Sequence, residues 1–374
     1  MKIGLDTFAC DSGKPGVGMY LTHFLKRITP SEALFELFGW EYDMYTYSEA
    51  APNFEFIPQC KIYGKTANAM WYLFKYPQFA ATRKFDACFF PAAHRSLPNN
   101  SPCPAVGVVH DIYWGDRKTP VHLGAFMRIV MPNLLRHLDR VIAVSQWVKQ
   151  ELIELAHVKE NRIEVVPNGI DHSTFYPRQR NEESVLLIQP FSFRRPYVLC
   201  VSKIDHPVKN HIRLIKAFGI FKEKTKFPHR LVLAGGDSSN AALVKEAAAA
   251  STWRNDIFFT GHFPMSSLPE LYCGADIVVI PSMFEGFGMG VLEAMACGIP
   301  VACARAASLP ETAGHAALYF DPLNAEDMAD RMVTLTANRD IHRECRRLGL
   351  QQAKNFSWDI CAKRTLDIIQ GTVS

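Results

Sequence analysis

The chain has 374 residues, and at about 100–200 residues per domain this length predicts two domains. Hydrophobic residues make up 48% of the sequence and charged residues 21%, which is typical of a soluble globular protein. With 41 Lys and Arg against 37 Asp and Glu, the formal charge is only +4, which excludes a strongly basic nucleic-acid binder.

Short apolar runs of strand length recur along the chain, separated by segments of helix length. Near-continuous apolar runs are typical of strands buried on both faces of a parallel sheet. In chain order, the predicted strands are 2–5, 43–47, 86–90, 105–109, 141–144, 163–166, 197–201, 231–234, 257–260, 277–280, 300–303 and 318–320. Each half is therefore predicted to be a doubly wound, Rossmann-like α/β domain with right-handed crossovers.

A segment rich in proline and charge, 174–196, predicts the boundary between the domains, with one possible extra strand at 185–188. We place the domains at 1–176 and 177–356, and the apolar spacing of the last segment, 357–374, predicts a helix that could pack on either domain. Ligands of doubly wound sheets bind at the carboxyl ends of the strands. Two such domains facing each other across a cleft favour an enzyme that joins two substrates.

The strongest chemical signal follows the predicted strand 277–280. Gly286, Gly288 and Gly290 let backbone N–H groups approach a ligand where a helix begins, and a helix N-terminus favours phosphate. Glu293 stands among apolar or glycine helix neighbours, and burying its carboxylate unpaired would be costly. A pair of sugar or ribose hydroxyls would satisfy it, and the alternative is a hydrogen bond to nearby backbone or to a basic group.

Two lysines flank a proline-containing turn directly after the predicted strand 197–201. Lys203 and Lys209 could both neutralise a diphosphate, because Lys serves as a compact point charge. Taken alone, the pair would be interpreted as solvated loop lysines. The glycine-rich segment in the same domain favours the phosphate interpretation.

Two further motifs lie in the first domain. Gly16 and Gly18, in a loop after the first strand, could contact phosphate or an acceptor, although the third glycine of a dinucleotide fingerprint is missing. His110 directly follows the predicted strand 105–109, where its ring could bind a hydroxyl and shape the site. The alternatives are a plain surface turn for the glycines and a structural histidine, hydrogen-bonded to Asp111 or to backbone.

These motifs resemble those of the retaining glycosyltransferases of family 4, which have the two-domain GT-B fold. Glu285 and Glu293, with seven residues between them, match that family's E-x7-E motif, and so does the flanking Gly286-Phe287-Gly288. Gly16-Val17-Gly18 is similar to the family's N-terminal glycine loop, and His110-Asp111 to its mid-domain HD pair. The resemblance covers nearly the whole chain.

The resemblance implies a role for each position. Lys203, which stands where the family usually has Arg, and Lys209 would hold the donor diphosphate. Glu293 would hold the ribose hydroxyls, Glu285 the transferred sugar, and His110 would contact that sugar near the reacting carbon. The other residues implied to bind the donor are Gly16, Gly18, Ser202, Gly261, His262, Phe263, Gly286, Phe287, Gly288 and Met289. The final helix would cross back onto the first domain, which would hold the acceptor.

The implied reaction is transfer of a hexose from a nucleoside diphosphate sugar to an acceptor hydroxyl with retention. Lysines and a helix dipole would neutralise the leaving group, so neither a metal nor an organic cofactor is expected. The stretch from His110 to Tyr113 and the helix after it resemble mannosyltransferases of polysaccharide and O-antigen assembly. This favours GDP-mannose as donor and a lipid-linked saccharide as acceptor, in cell-surface polysaccharide or glycoconjugate synthesis. A sugar-nucleotide epimerase and a non-catalytic nucleotide-sugar-binding subunit stay open as alternatives.

The location of the protein follows from what its sequence lacks. No apolar stretch is long enough for a transmembrane helix, and Asp6 in the first apolar run argues against a signal peptide. The absence of a CxxC pair gives zinc chemistry little support. We expect a cytoplasmic protein. An aromatic segment near Lys65 and Lys75 is either core or a patch for peripheral contact with the inner membrane face; its aromatic residues are Trp71, Tyr72, Phe74, Tyr76 and Phe79.

Overall fold

The computed structural model describes residues 1–13, 16–50, 54–60, 65–112, 121–179, 185–188 and 191–373. Contacts divide the chain into two units, Met1–Gly169 with Ser357–Ser374, and Ile170–Phe356. The sequence places this division somewhat later, after residue 176. In each unit, strands alternate with helices along the chain, as expected of two Rossmann-like domains.

The first unit is built on a parallel sheet of seven strands among the described residues. In chain order the strands are β1 (Lys2–Asp6), β2 (Leu34–Trp40), β3 (Glu55–Cys60), β4 (Ala87–Phe90), β5 (Ala105–Val109), β6 (Arg140–Ala143) and β7 (Ile163–Val165). Their order across the sheet is β3-β2-β1-β4-β5-β6-β7. The connecting helices are α1 (Val17–Leu25), α2 (Asp43–Ser48), α3 (Lys65–Phe74), α4 (Tyr76–Arg83), α5 (Val121–Arg136) and α6 (Gln146–Glu154).

The second unit has a parallel sheet of six strands and a separate antiparallel hairpin, again among the described residues. The hairpin pairs β8 (Val185–Ile188) with β9 (Phe191–Arg194). The sheet strands are β10 (Tyr197–Val201), β11 (Arg230–Ala234), β12 (Ile257–Gly261), β13 (Ile277–Ile280), β14 (Val301–Ala304) and β15 (Ala317–Phe320). Their order is β12-β11-β10-β13-β14-β15. The helices are α7 (His211–Thr225), α8 (Ala241–Ala250), α9 (Leu268–Gly274), α10 (Met289–Ala296), α11 (Leu309–Ala313), α12 (Ala325–Ala337) and α13 (Arg339–Ala353).

The last helix, α14 (Trp358–Val373), returns to the first unit and packs on α1. The Trp358 ring stacks on the His23 ring at 4.7 Å between centroids, and the Tyr20 hydroxyl lies 3.0 Å from Thr365 Oγ1. Gly169 is required where the chain leaves this unit, because a Cβ there would lie 2.0 Å from the backbone nitrogen of Trp358. No helix in the described part of the chain is long and apolar enough to cross a membrane.

One predicted strand is wrong, because the segment 43–47 is the helix α2. Asp43 stands in its first turn, where a carboxylate suits the helix dipole, and accepts a hydrogen bond from Thr7 Oγ1 at 3.0 Å. The strand of this region is β2. Its apolar run is interrupted by Glu36, so the sequence pattern does not predict it. Glu36 is buried and compensated by ion pairs with Lys2 at 2.5 Å and Arg83 at 2.6 Å.

The aromatic segment of α3 and α4 belongs mostly to the core of the first unit. Trp71, Tyr72 and Tyr76 are buried, and the Trp71 ring lies 4.8 Å from that of Phe8 between centroids. The core interpretation is therefore confirmed for these three residues. Phe74, in contrast, is 69% exposed.

Candidate functional site

The predicted donor residues of the second unit lie along one edge of its six-stranded sheet. Because the strands are parallel, the carboxyl ends of β10, β12 and β13 meet at the same edge. Ser202 and Lys203 follow β10, Gly261 ends β12, and residues 285–289 lead from β13 into α10. The sheet order places β10 directly beside β13, so the lysine loop lies next to the glycine loop.

An ion pair joins these two loops. Lys209 Nζ lies 2.6 Å from Glu285 Oε1, and the two side chains are 24% and 21% exposed. The backbone holds the same loops together, since the amide of Met283 donates to the carbonyl of Val208 at 2.8 Å. The carboxylate and the ammonium are therefore preorganised at the edge of the sheet, with part of their surface open to a ligand.

The loop after β10 is shaped by a buried histidine. His211 Nδ1 lies 2.7 Å from the Asp205 carbonyl and donates to it, so Nε2 accepts from the Ser202 hydroxyl at 3.2 Å. Burial lowers the pKa of His211, which keeps this ring neutral. Gly235 permits the close approach of β11, because a Cβ there would lie 2.1 Å from the Ser202 carbonyl oxygen. Lys203 projects from this loop as an exposed side chain.

The glycine loop before α10 is held from one side by α11. The Ser308 hydroxyl donates to the Glu285 carbonyl at 2.8 Å, and the Thr312 hydroxyl donates to the Phe287 carbonyl. Gly288 has a φ of 93°, a left-handed conformation that favours glycine, and α10 begins after it without a side-chain cap. An uncapped helix N-terminus with a glycine at its start suits an anionic ligand such as phosphate.

Glu293 lies in the second turn of α10 and has a protein partner that the sequence does not predict. The Tyr272 hydroxyl donates to Glu293 Oε2 at 2.8 Å. Burial raises the pKa of the Glu293 carboxyl to about 7, against the opposite effect of this hydrogen bond. Within the described chain no hydrogen bond reaches the other oxygen, Oε1, so it can accept from a ligand hydroxyl.

The third segment of the edge surrounds Gly261. This residue has a φ of 64° and pairs with Gly235 in an isolated antiparallel bridge. His262 is exposed and Phe263 is half-buried. Their contact with the base of the donor stays a prediction.

The glycines of the first unit have different structural reasons. Gly18, in α1, is required for packing, since a Cβ there would lie 2.7 Å from the carbonyl oxygen of Cys10. Gly16 precedes α1 with a φ of 99°, and a Cβ there would meet no atom of the described residues within 4 Å. Ligand contact at either glycine stays a prediction.

His110 follows β5 and is hydrogen-bonded to backbone. Its Nε2 lies 3.0 Å from the Pro91 carbonyl, and its ring packs edge-on against Tyr20 at 5.0 Å between centroids. Burial lowers the pKa of His110 to about 3, so the ring is neutral, Nε2 carries the proton and Nδ1 is an acceptor. The ring can therefore accept a hydrogen bond from a ligand hydroxyl, but it cannot serve as a general acid near neutral pH. Tyr113, from the same predicted stretch, lies outside the described residues.

The residues that position the site are not predicted from the sequence. Tyr272 contacts Glu293, Ser308 contacts the Glu285 backbone, and His211 contacts Ser202. Ser308 and Thr312 carry a readable signal, since hydroxyls four residues apart lie on the same helix face and can act together. Tyr272 carries none, because nothing in its local sequence points to Glu293.

Two family models match the chain, one in each half. Residues 188–352 match the model described as Glycosyl transferases group 1, and residues 31–174 the model described as Glycosyltransferase Family 4. O-antigen chain mannosyltransferase B of Escherichia coli is 31% identical over 229 residues, which are 61% of this chain and 59% of that protein. Mannosylfructose-phosphate synthase of Agrobacterium fabrum is 26% identical over 247 residues, 64% of this chain and 54% of that protein. The chain thus spans little more than half the length of these relatives.

Solved structures resemble the chain over its whole length. Anabaena HepE in complex with UDP and glucose has a TM-score of 0.76 at 20% identity, with 99% of this chain and 100% of that chain covered. Sucrose-phosphate synthase from Thermosynechococcus elongatus has a TM-score of 0.76 at 18% identity, covering 99% and 98%. Identities this low establish the fold alone. With two parallel Rossmann-like sheets and a family model on each half, the chain belongs to the family 4 glycosyltransferases of GT-B fold.

Proposed function

We propose that this protein is a retaining hexosyltransferase that moves mannose from GDP-mannose to a hydroxyl of a saccharide acceptor. The observation that carries the proposal is the edge of the second sheet, where the Lys209–Glu285 ion pair stands before the uncapped start of α10 and Glu293 follows on that helix. Mannose is supported by the names of relatives, which include O-antigen chain mannosyltransferase B and the serotype-specific mannosyltransferase WbdA of Escherichia coli.

The protein binds the diphosphate of the donor through positive charge and the ribose through hydrogen bonds to its hydroxyls. Lys209 and the N-terminus of α10 neutralise the diphosphate, and the exposed Lys203 closes over it as a second cation. Glu293 accepts hydrogen bonds from the ribose hydroxyls through Oε1. Residues 261–263 meet the base.

In the reaction, the bond between the anomeric carbon and the diphosphate oxygen breaks while the acceptor oxygen bonds to that carbon on the same face. The departing phosphate oxygen takes the acceptor's hydroxyl proton. Glu285 stabilises positive charge on an oxocarbenium-like sugar, and Lys209 offsets the charge of the leaving group without a metal. His110, neutral and with Nδ1 as an acceptor, recognises a sugar hydroxyl.

The first test is a thermal-shift panel of GDP, UDP, ADP and their sugar conjugates without added metal. A ligand at 100-fold its Kd adds about 2.7 kcal/mol to the stability of the native state. We expect GDP and GDP-mannose to stabilise the protein selectively, also in the presence of EDTA. Lys209→Met should abolish the shift. Lys245→Met is the matched control, since Lys245 also pairs with a carboxylate of this unit, Asp237, but is 48% exposed on the surface. Selectivity for UDP or ADP would contradict the assignment of the donor.

The second test is product analysis. We expect an α-linked mannoside from the α-configured donor, established by NMR of the anomeric carbon and proton. A β-linked product would contradict retention. A converted nucleotide sugar in the absence of any acceptor would favour the epimerase, and nucleotide binding without turnover of either kind would favour the non-catalytic subunit.

We propose further that the acceptor is lipid-linked and that the protein contacts the inner membrane face through α3. Met70, Leu73 and Phe74 are 54%, 54% and 69% exposed, and their spacing places them on one face of this helix, followed by the exposed Lys75. Flotation with vesicles of phosphatidylglycerol should carry the protein up. Phe74→Asp should reduce this, and Leu243→Asp, at an exposed apolar position of the second unit, should not. Equal flotation of both variants would contradict the role of α3.

A further inference from the structure

Tyr272 is a fully buried tyrosine whose hydroxyl serves a carboxylate of the candidate donor site. It lies on α9 with 0% of its side chain exposed, and its hydroxyl oxygen is 2.8 Å from Glu293 Oε2. Burial and the neighbouring carboxylate raise the pKa of this phenol well above its usual range. The hydroxyl therefore keeps its proton and donates a hydrogen bond to the Glu293 carboxylate.

This hydrogen bond fixes one end of the carboxylate and leaves the other available. Oε2 is held by the tyrosine, and Oε1 has no hydrogen-bond partner within the described chain. A carboxylate restrained at one oxygen has lost most of its rotational freedom before a ligand arrives. Preorganisation of this kind favours binding because the entropy cost of ordering the side chain is already paid.

The surroundings hold the tyrosine in place. Its ring packs edge-on against Phe175 at 6.2 Å between centroids. On α10, Gly290 leaves room for the hydroxyl, since a Cβ at that position would lie 3.3 Å from the tyrosine oxygen. A side chain at this position would require the tyrosine hydroxyl to move by a few tenths of an ångström.

We propose that Tyr272 is a positioning residue that aims Glu293 at the ribose hydroxyls of the donor nucleotide. The inference rests on the proposed function, because it takes a nucleotide as the ligand of Glu293. It adds a residue that does not touch the donor but sets the selectivity for ribose. If the restraint on Glu293 is lost, we expect the affinity for the ribose form to fall about tenfold, which is of the order of one hydrogen bond to a charged group.

The test compares ligands as well as variants. Dissociation constants are measured by calorimetry for GDP, UDP and ADP and for their 2′,3′-dideoxy counterparts. Wild type, Tyr272→Phe and Tyr197→Phe are compared. Tyr197 is the matched control, because it is also fully buried in this unit and its hydroxyl donates at 2.7 Å to a backbone carbonyl of α9, that of Leu271.

We expect wild type to prefer the ribose form of its nucleotide, and Tyr272→Phe to lose about tenfold in affinity for that form while binding the dideoxy form as before. Tyr197→Phe should keep the full preference. A merely structural role would lower the affinity for both forms alike. If circular dichroism shows that Tyr272→Phe does not fold, Gly290→Ala is tested instead, because its Cβ crowds the same hydroxyl. The measured quantity is again the ratio of the Kd values for the dideoxy and ribose forms.

The outcomes separate the two proposals. If wild type prefers ribose and the Tyr272 or Gly290 variant keeps the same preference, the inference about Tyr272 is overturned while the proposed function stands. If wild type binds none of the three nucleotides, or binds ribose and dideoxy forms equally, then the assignment of Glu293 to the ribose falls and the inference falls with it.

Discussion

Replacing Glu293 by Gln tests the electrostatics of the candidate donor site, because it removes one titratable carboxyl group and leaves the side chain almost the same size. In the wild type, burial raises the pKa of this carboxyl from its usual 4.5 to about 7, although the Tyr272 hydroxyl works in the opposite direction. About 90% of the carboxyl is therefore protonated at pH 6, and about 90% is ionised at pH 8. Gln has nearly the same shape and does not titrate in this range.

The magnitude follows from the ionised fraction. If the ionised carboxylate is the form that accepts the ribose hydroxyls, the apparent Kd is the intrinsic Kd divided by that fraction. Wild type should therefore bind its nucleotide about tenfold more weakly at pH 6 than at pH 8. The Gln variant should bind more weakly at pH 8 and lack this factor. Any dependence that remains in the variant reports protonation of the nucleotide's own phosphate.

The same substitution should have the opposite effect on stability. Because the pKa of Glu293 is higher in the folded state than in the unfolded chain, the folded state binds more protons between pH 4.5 and about 7. The stability contributed by this group is fully present below pH 4.5 and is lost as the pH rises through 7. Above that pH, Glu293→Gln should be the more stable protein, by at most about 3 kcal/mol.

The assay is calorimetric titration with the selected nucleotide at pH 6, 7 and 8, together with urea unfolding at pH 5 and 8. We expect two diverging results from one variant, namely weaker binding and higher stability at pH 8. Parallel pH profiles of Kd in wild type and variant would refute this role of Glu293. A loss of stability at pH 8 in the Gln variant would also refute it, because the carboxylate would then be favourably placed without a ligand.

Three further predictions test packing, one at the candidate site and two elsewhere in the units. Ser308→Ala removes a 2.8 Å hydrogen bond to the loop before α10, and should cost about 1 kcal/mol and raise the donor KM in steady-state kinetics. Gly169→Ala places a Cβ 2.0 Å from the Trp358 nitrogen, and should lower stability in urea by about 1–3 kcal/mol or prevent folding. Lys222→Met leaves two carbonyls and a carboxylate without their buried ammonium, and should cost about 2 kcal/mol, whereas Lys224→Met, in an exposed ion pair, should leave the stability nearly unchanged. Equal losses at the two lysines would contradict the role of burial.

The sheets could be predicted where strands are buried on both faces without a polar interruption. β5, β10 and β13 have the bounds that their apolar runs predict. β2 has no such run because Glu36 lies within it, and its burial depends on Lys2 and Arg83 from other parts of the chain. β3 is an edge strand that contains Pro58, which a central strand does not tolerate. Both exceptions depend on neighbours that are distant in sequence.

In the candidate site, too, some residues could be predicted from the sequence and others could not. The groups that are expected to meet the donor lie close together in sequence, since Glu285, the glycines and Glu293 belong to one loop and the helix after it. Their spacing matches the E-x7-E motif of the family, so the resemblance identifies them from the sequence alone. The groups that orient them come from the neighbouring helices α9 and α11, where Tyr272 and Ser308 are ordinary polar residues by sequence.

The motif residues on and before α10 are oriented by residues outside the motif. The loop before α10 and the carboxylate on α10 are held from two sides, by a hydroxyl at the start of α11 and by a phenol on α9. Neither Ser308 nor Tyr272 belongs to the family motif. Substitutions on these two helices can therefore alter the affinity for the nucleotide while every motif residue is intact. An intact E-x7-E motif thus predicts that a donor site is present, whereas we expect the strength of donor binding to depend also on α9 and α11.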